Sequence, residues 1–258
     1  REHLARLGRA QIPAPHELPF AGGLMGYLSY DFGRKLEPLP ALAHDDLQLP
    51  DARLGLYAWA LISDHQHASS QLVFHPSLEM SERERLINLF TRLRAAPVAP
   101  FSLKHPMQPD LSAQQYQQAL TRIHDYIQAG DCYQVNYTQR FSAECEGDAW
   151  TAYCALRAAC PTPFSGFMQL PEQGAIVSLS PERFVRVSRN QVETRPIKGT
   201  RPRGKDRGED AANAAELLAS PKDRAENLMI VDLLRNDFGR TCRTGSVRVP
   251  ELFSLESY

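Results

Sequence analysis

The chain has 258 residues, 43% of them hydrophobic and 23% charged, and a formal net charge of -1. That length suffices for one large domain or two ordinary ones, each with a core. Near-neutrality excludes a surface built throughout for nucleic acid, so any basic cluster must be local.

The five cysteines are odd in number and lack CxxC spacing, which argues against a disulfide framework or a zinc site. Cys154 and Cys160 fall in a helical pattern and are expected as buried thiols. That usage suits a reducing cytoplasm. No apolar run is long enough for a membrane span, and "REHLARLGRAQ" does not resemble a signal peptide. The chain opens without methionine and stops in the apolar run "VPELFSLESY". An unfinished strand leaves backbone groups without partners, so the expectation is an internal piece of a longer protein.

In chain order, "FAGGLMGYLSYDFG" (20–33) reads as strand-rich, with glycines where backbones approach closely. "ARLGLYAWALISDH" (52–65) and "SSQLVFHP" (69–76) read as a strand pair turning at "DHQHA". Residues 81–96 form an amphipathic helix pattern, with Leu86, Leu89, Phe90 and Leu93 on one face and Ser81 as N-cap. These segments make residues 1–96 part of an N-terminal subdomain. Four prolines between 97 and 109 mark a connector over 97–110.

The second region, 111–258, opens with a helix capped by Ser112 and ended by Gly130. "CYQVNYTQRFSA" (132–143) is a strand candidate, and 148–160 a small-residue helix. Four strand-like runs follow: "PFSGFMQL", "GAIVSLS", "ERFVRVS" and "QVETRPI". A helical region from Glu209 to about Asn236 is interrupted at Ser220–Pro221, where serine caps and proline opens a helix. The outline is α/β (α+β), with two-layered, mostly antiparallel, hairpin-linked sheet flanked by helices.

"ETRPIKGTRPRG" (193–204) sets Lys198 among Arg195, Arg201 and Arg203. It reads as a solvated basic loop, an anion patch, or a lysine activated by cationic neighbours. A phosphate loop is excluded, because lysine precedes glycine and no glycines lie upstream. Glu182 and Lys198 stand on consecutive strands joined at "SRNQ". A two-residue turn at Arg189–Asn190 pairs Val187 with Val192, Arg186 with Glu193 and Glu182 with Ile197. A three-residue turn places Glu182 opposite Lys198 instead. Either register yields an acid and nucleophile pair, though a surface salt bridge is the ordinary outcome for such neighbours. Asp223 and Glu226 are i,i+3 in the first turns of a helix. Two carboxylates with water and an anionic substrate suit Mg²⁺; first-turn acids also simply complement the helix dipole.

"SPERFVRV", "TRPIKGTRPRG", "SPKDRAENLMIVDLLRNDFGR" and "GSVRVPELFSLESY" resemble, in order and spacing, the chorismate-utilising enzymes. That family includes anthranilate, aminodeoxychorismate, isochorismate and salicylate synthases. "GGLMGYLSYDFGR" and "GDCYQVNYTQRF" extend the likeness over nearly the whole chain. The resemblance implies the anthranilate-synthase-component-I-like fold, incomplete at both ends. Lysine at 198, where anthranilate synthases usually carry alanine, implies the aminodeoxychorismate branch toward p-aminobenzoate and folate. Gln134 stands where water-adding members place a base lysine.

By the same resemblance, Glu182 is the general acid and Lys198 the covalent nucleophile. Gly199 and Thr200 contact substrate, and Glu226 with Asp223 hold Mg²⁺. Phe164, Ser165 and Gly166 match a segment lining a tryptophan pocket. Chorismate is the implied substrate, and a glutaminase subunit, component II, the implied ammonia source; anthranilate synthase component I and a non-catalytic glutaminase-docking scaffold are the alternatives. Relatives run further at both ends, so the 258 residues alone are expected to show little turnover.

Overall fold

The computed structural model describes residues 2–8, 18–94, 97–171 and 174–257. The chain divides into two compact units, Arg1–Pro97 and Val98–Tyr258.

The first unit begins with a short helix α1 (Glu2–Leu7) and strand β1 (Gly23–Leu28), followed by a 3₁₀ turn over Tyr30–Lys35. The apolar stretch 52–65 is two strands rather than one, β2 (Ala52–Tyr57) and β3 (Trp59–Asp64). β2 pairs with β1, and β3 pairs with β4 (Ser69–Phe74). The break at Ala58 is where the chain changes ladder partner: Ala58 O accepts from His75 N at 2.8 Å.

Helix α2 (Met80–Thr91) starts two residues earlier than a Ser81 cap implies, with Glu79 rather than Ser81 as the extended residue before the first turn. Ser81 is therefore not its cap. Leu86 is fully buried and Phe90 meets the Trp59 ring edge-on at 5.7 Å between centroids. Residues 95–96, the end of the expected helix, lie outside the described residues. Nearby, Arg83 ties the loop before α2 together by donating to the carbonyls of His75, Pro76 and Leu78.

In the second unit the proline-rich stretch carries two short strands, β5 (Ser102–Leu103) and β6 (Gln108–Pro109). Helix α3 (Ala113–Ala129) has a reciprocal capping box between Ser112 and Gln115. It ends at Gly130, whose φ of 81° places it in the left-handed region that glycine enters without a Cβ penalty. Strands β7 (Phe141–Ser142) and β8 (Cys145–Glu146) pair with β6 and β5. The proline-rich stretch is thus zipped to residues 141–146.

The strand expected over 132–143 is confined to Phe141–Ser142. Among the described residues, 133–140 finds no ladder partner, and strand propensity alone does not make a strand.

Helix α4 (Ala149–Ala159) is capped by Asp148 and packs on the hairpin β9 (Phe164–Leu170) and β10 (Gly174–Ser180). Trp150, Tyr153 and Phe167 form an aromatic cluster there, with centroids 5.2 to 5.6 Å apart. Leu170 and Tyr153 are buried. Cys154 and Cys160 are exposed, against expectation: α4 buries Ala152 and Tyr153 and turns the Cys154 thiol outward, and Cys160 lies just past its end. Strands β11 (Arg186–Ser188) and β12 (Gln191–Glu193) form the next hairpin, and helices α5 (Arg207–Ala219) and α6 (Pro221–Thr241) close the unit. All six ladders among the described residues are antiparallel. None of the described helices is long and apolar enough to cross a membrane.

Candidate active site

The hairpin β11–β12 takes the two-residue turn. Arg189 and Asn190 both have positive φ, 48° and 64°, as a type I′ turn requires. Arg186 pairs with Glu193 and Val187 with Val192. Beyond the ladder, the register continues through a side chain: Glu182 Oε1 accepts the Ile197 N–H at 3.2 Å. The Glu182 backbone is held in turn, since its N–H donates to Ser180 Oγ and its carbonyl accepts from that hydroxyl.

The 190–203 segment lines a groove of about 1290 Å³ together with α5, α6 and residues 241–257. Lys198, Gly199, Thr200 and Asp223 line it. Lys198 is half-buried and Thr200 exposed. Gly199 has a φ of +73°, and a Cβ there would stand 2.8 Å from Asp223 Cγ. Glycine is needed at this position for both reasons.

Each arginine of the loop is met by carboxylates. Arg195 donates from Nε to Glu256 at 2.8 Å and from Nη2 to Glu251 at 3.1 Å. Arg201 reaches Glu216 at 2.8 Å, Asp223 at 3.2 Å and the carbonyl of Thr200 at 2.9 Å. Arg203 forms a fork with Asp210, both bonds 2.8 Å, and Gly204 N donates to the same carboxylate. These pairings raise all three guanidinium pKa values, chiefly through the hydrogen bonds to Glu256, Glu216 and Asp210 respectively. Arg203 and the Gly204 N–H hold the Asp210 carboxyl down to about 2. Each of the three guanidinium charges is therefore met by a carboxylate within hydrogen-bond reach.

Asp223 sits in the first turn of α6, where its N–H donates to Ser220 Oγ at 3.3 Å. The Ser220 hydroxyl, followed by Arg201, keeps its carboxyl below the usual range. Glu226, one turn on, accepts from Gln134 Nε2 at 3.4 Å. Gln134 also donates to Asn136 at 3.4 Å, and its buried Oε1 has no partner among the described residues.

For Mg²⁺ the two carboxylates differ. No cation pairs with Glu226 among the described residues, so it suits a hard dication that keeps most of its water. Asp223 is already faced by a guanidinium, which opposes a second cation. The described residues hold no cluster of three or more metal-ligating side chains.

Not all the expected residues converge. Glu182 and Glu226 do not line the groove, although Glu182 bonds the residue preceding Lys198. Phe164, Ser165 and Gly166 lie apart from it on β9. There the Ser165 hydroxyl is engaged with Thr162 Oγ1 at 2.8 Å, and Arg183 stands 5.7 Å from the Phe164 ring centroid. The partners Glu216, Glu251 and Glu256 escaped the sequence reading. Pairs 56 and 61 residues apart leave no local pattern to read.

The chorismate binding enzyme family model matches residues 2–258. The chain is 46% identical over 254 residues to aminodeoxychorismate synthase component 1 of Escherichia coli, covering 98% of this chain and 55% of that protein. It is 40% identical over 245 residues to anthranilate synthase component 1 of Thermus thermophilus, covering 93% and 53%. Among solved structures, anthranilate synthase component I from Streptococcus pneumoniae TIGR4 superposes with a TM-score of 0.82 at 27% identity. That match covers 100% of this chain and 58% of the other, which places the fold with that enzyme's. The chain thus spans about 55% of the length of the Escherichia coli relative. On its sequence and its fold, this chain belongs to the chorismate binding enzyme family.

Proposed function

We propose that the chain carries the catalytic region of an aminodeoxychorismate synthase component I. The reaction is an amination of the transaminase type that joins chorismate and ammonia into 4-amino-4-deoxychorismate, the precursor of p-aminobenzoate for folate. The carrying observation is a lysine in the groove, on a loop that Glu182 engages one residue earlier. Relatives of that name, 46% and 47% identical, support it.

Chorismate is a dicarboxylate whose 4-hydroxyl leaves poorly until protonated. Glu182 donates a proton to that oxygen as the C4–O bond breaks and water departs. Lys198 forms an Nζ–C2 bond as the ring double bond shifts, splitting one difficult displacement into two. Ammonia then adds at C4, the C2–N bond breaks, and the Lys198 amine is restored. Gly199 presents backbone and Thr200 a hydroxyl to the substrate. Glu226 would hold Mg²⁺, which supplies charge neutralisation for the substrate carboxylates. A separate glutaminase subunit, component II, supplies the ammonia, and the site of action is the cytoplasm.

The test places this chain in the Escherichia coli relative, in place of the 254 matching residues. The chimera is incubated with chorismate and no ammonia. The peptide containing Lys198 is expected to gain chorismate less one water, and Lys198→Ala to gain nothing. A fluorescent ortho-aminobenzoate product on adding ammonia would instead support an anthranilate synthase. Retained component II binding with no adduct would support a docking scaffold. The 258 residues alone are expected to form little aminodeoxychorismate from chorismate and ammonium salts.

A further inference from the structure

Asp223 is joined to the lysine-bearing loop by independent contacts. Its side chain packs against the left-handed Gly199, at 2.8 to 2.9 Å from where a Cβ would stand. It accepts from Arg201 Nη2 at 3.2 Å, and the same guanidinium returns through Nη1 to the carbonyl of Thr200. Arg201 is anchored a third time, on Glu216 of α5. Asp223 itself is locked to the start of α6 through Ser220. Both side chains are largely protected, 15% exposed for Asp223 and 27% for Arg201.

We infer that Asp223 is a positioning residue for Lys198 and not a metal ligand. With Arg201 it pins the Gly199 turn against the first turn of α6, and that turn sets where the Lys198 amine stands. The role in catalysis rests on the amination proposed above; the clamp does not. A carboxylate whose charge is met by a guanidinium, and whose face is filled by a peptide, offers a dication little. Among the described residues, Glu226, one turn further along α6, has no such cation paired with it.

The experiment has two readouts on the 258-residue chain and one on the chimera. On the chain, the Gly199 amide resonance is followed in Asp223→Asn, Arg201→Lys and the double variant, and Mg²⁺ alone is titrated by calorimetry. Each single variant is expected to move the Gly199 resonance, and the double variant to move it no further than the larger single shift. The Mg²⁺ titration of Asp223→Asn is expected to match the unmodified chain within about twofold. On the chimera, Asp223→Asn is expected to slow Lys198 adduct formation about tenfold or more, the scale of a misplaced nucleophile. Raised Mg²⁺ is not expected to restore it.

A tenfold loss of Mg²⁺ affinity in Asp223→Asn, or rescue of its adduct by Mg²⁺, overturns the assignment. An unmoved Gly199 resonance overturns the clamp. Absence of any adduct on the unsubstituted chimera sinks the amination reading alone, because the Gly199 and Mg²⁺ readouts do not depend on it.

Discussion

Glu182 Oε1 accepts the backbone N–H of Ile197 at 3.2 Å, so a carboxylate ahead of β11 engages the residue that precedes Lys198, beyond β12. The contact extends the Val187–Val192 register beyond the last ladder pair. It joins the Glu182 carboxylate to the backbone beside Lys198 without pairing their charges. Under the amination proposed above, that side chain would have two separable duties, accepting a hydrogen bond and donating a proton.

Substitution separates those duties. Glu182→Gln keeps an oxygen for Ile197 N–H and removes the proton. Adduct formation in the chimera is expected to fall by about 10²–10⁴, the usual contribution of a positioned general acid. The thermal midpoint should stay within a degree or two. Glu182→Ala loses both duties and should also speed exchange of the Ile197 amide. Equal adduct rates in Glu182→Gln and the unmodified protein would remove Glu182 from the chemistry.

Gly199→Ala asks a residue with a Cβ to hold a φ of +73° and to occupy space taken by Asp223. The left-handed conformation alone costs roughly 1–2 kcal/mol for a residue with a Cβ. Loss of Lys198 adduct formation is expected in addition, since the turn must open. Denaturant unfolding and intact mass measure the two effects separately.

The Arg203–Asp210 fork predicts acid behaviour with a definite sign. A carboxyl whose folded value is depressed stabilises the fold above its ordinary pKa of 3.8, and that contribution is lost as pH falls toward about 2. The junction of the loop with α5 should therefore hold between pH 4 and 3 and loosen only nearer 2. In Arg203→Ala the Asp210 carboxyl, followed by carbon-13 NMR, should rise toward its ordinary value. No change in its titration would show that Arg203 is not the cause.

Arg195 bridges the strand exit to residues 251–256 through two carboxylates. Arg195→Ala is expected to raise amide exchange over 251–256. Its effect on global stability should be at most about 1 kcal/mol per bond, as for other solvent-accessible pairs. Arg195→Lys restores the charge but not the fork, so recovery should be partial. Full recovery with lysine would reduce the bridge to simple charge attraction.

Much of the frame was legible because its causes are local. Ser112 with Gln115, Gly130 at the end of α3, and Ser220 before Pro221 each act within one helical turn, and each does in the structure what its spacing implies. The strand over 132–143 failed for the opposite reason. A strand exists only with a partner, and residues 133–140 have none among those described. Exposure of Cys154 likewise depended on which face of α4 the β9–β10 hairpin covers.

The sequence by itself determined the order of the motifs, the family they resemble, and the presence of a lysine among three arginines. It left the hairpin register open, because both turn lengths suit "SRNQ" and the choice falls to backbone φ at Arg189 and Asn190. It suggested a cationic loop around Lys198. Only the tertiary structure delivered the carboxylates of Glu216, Glu251 and Glu256 to those arginines. The physical reason is range: caps and turns are set by neighbours along the chain, whereas the charge around a side chain is set by whatever folding brings within a few ångströms.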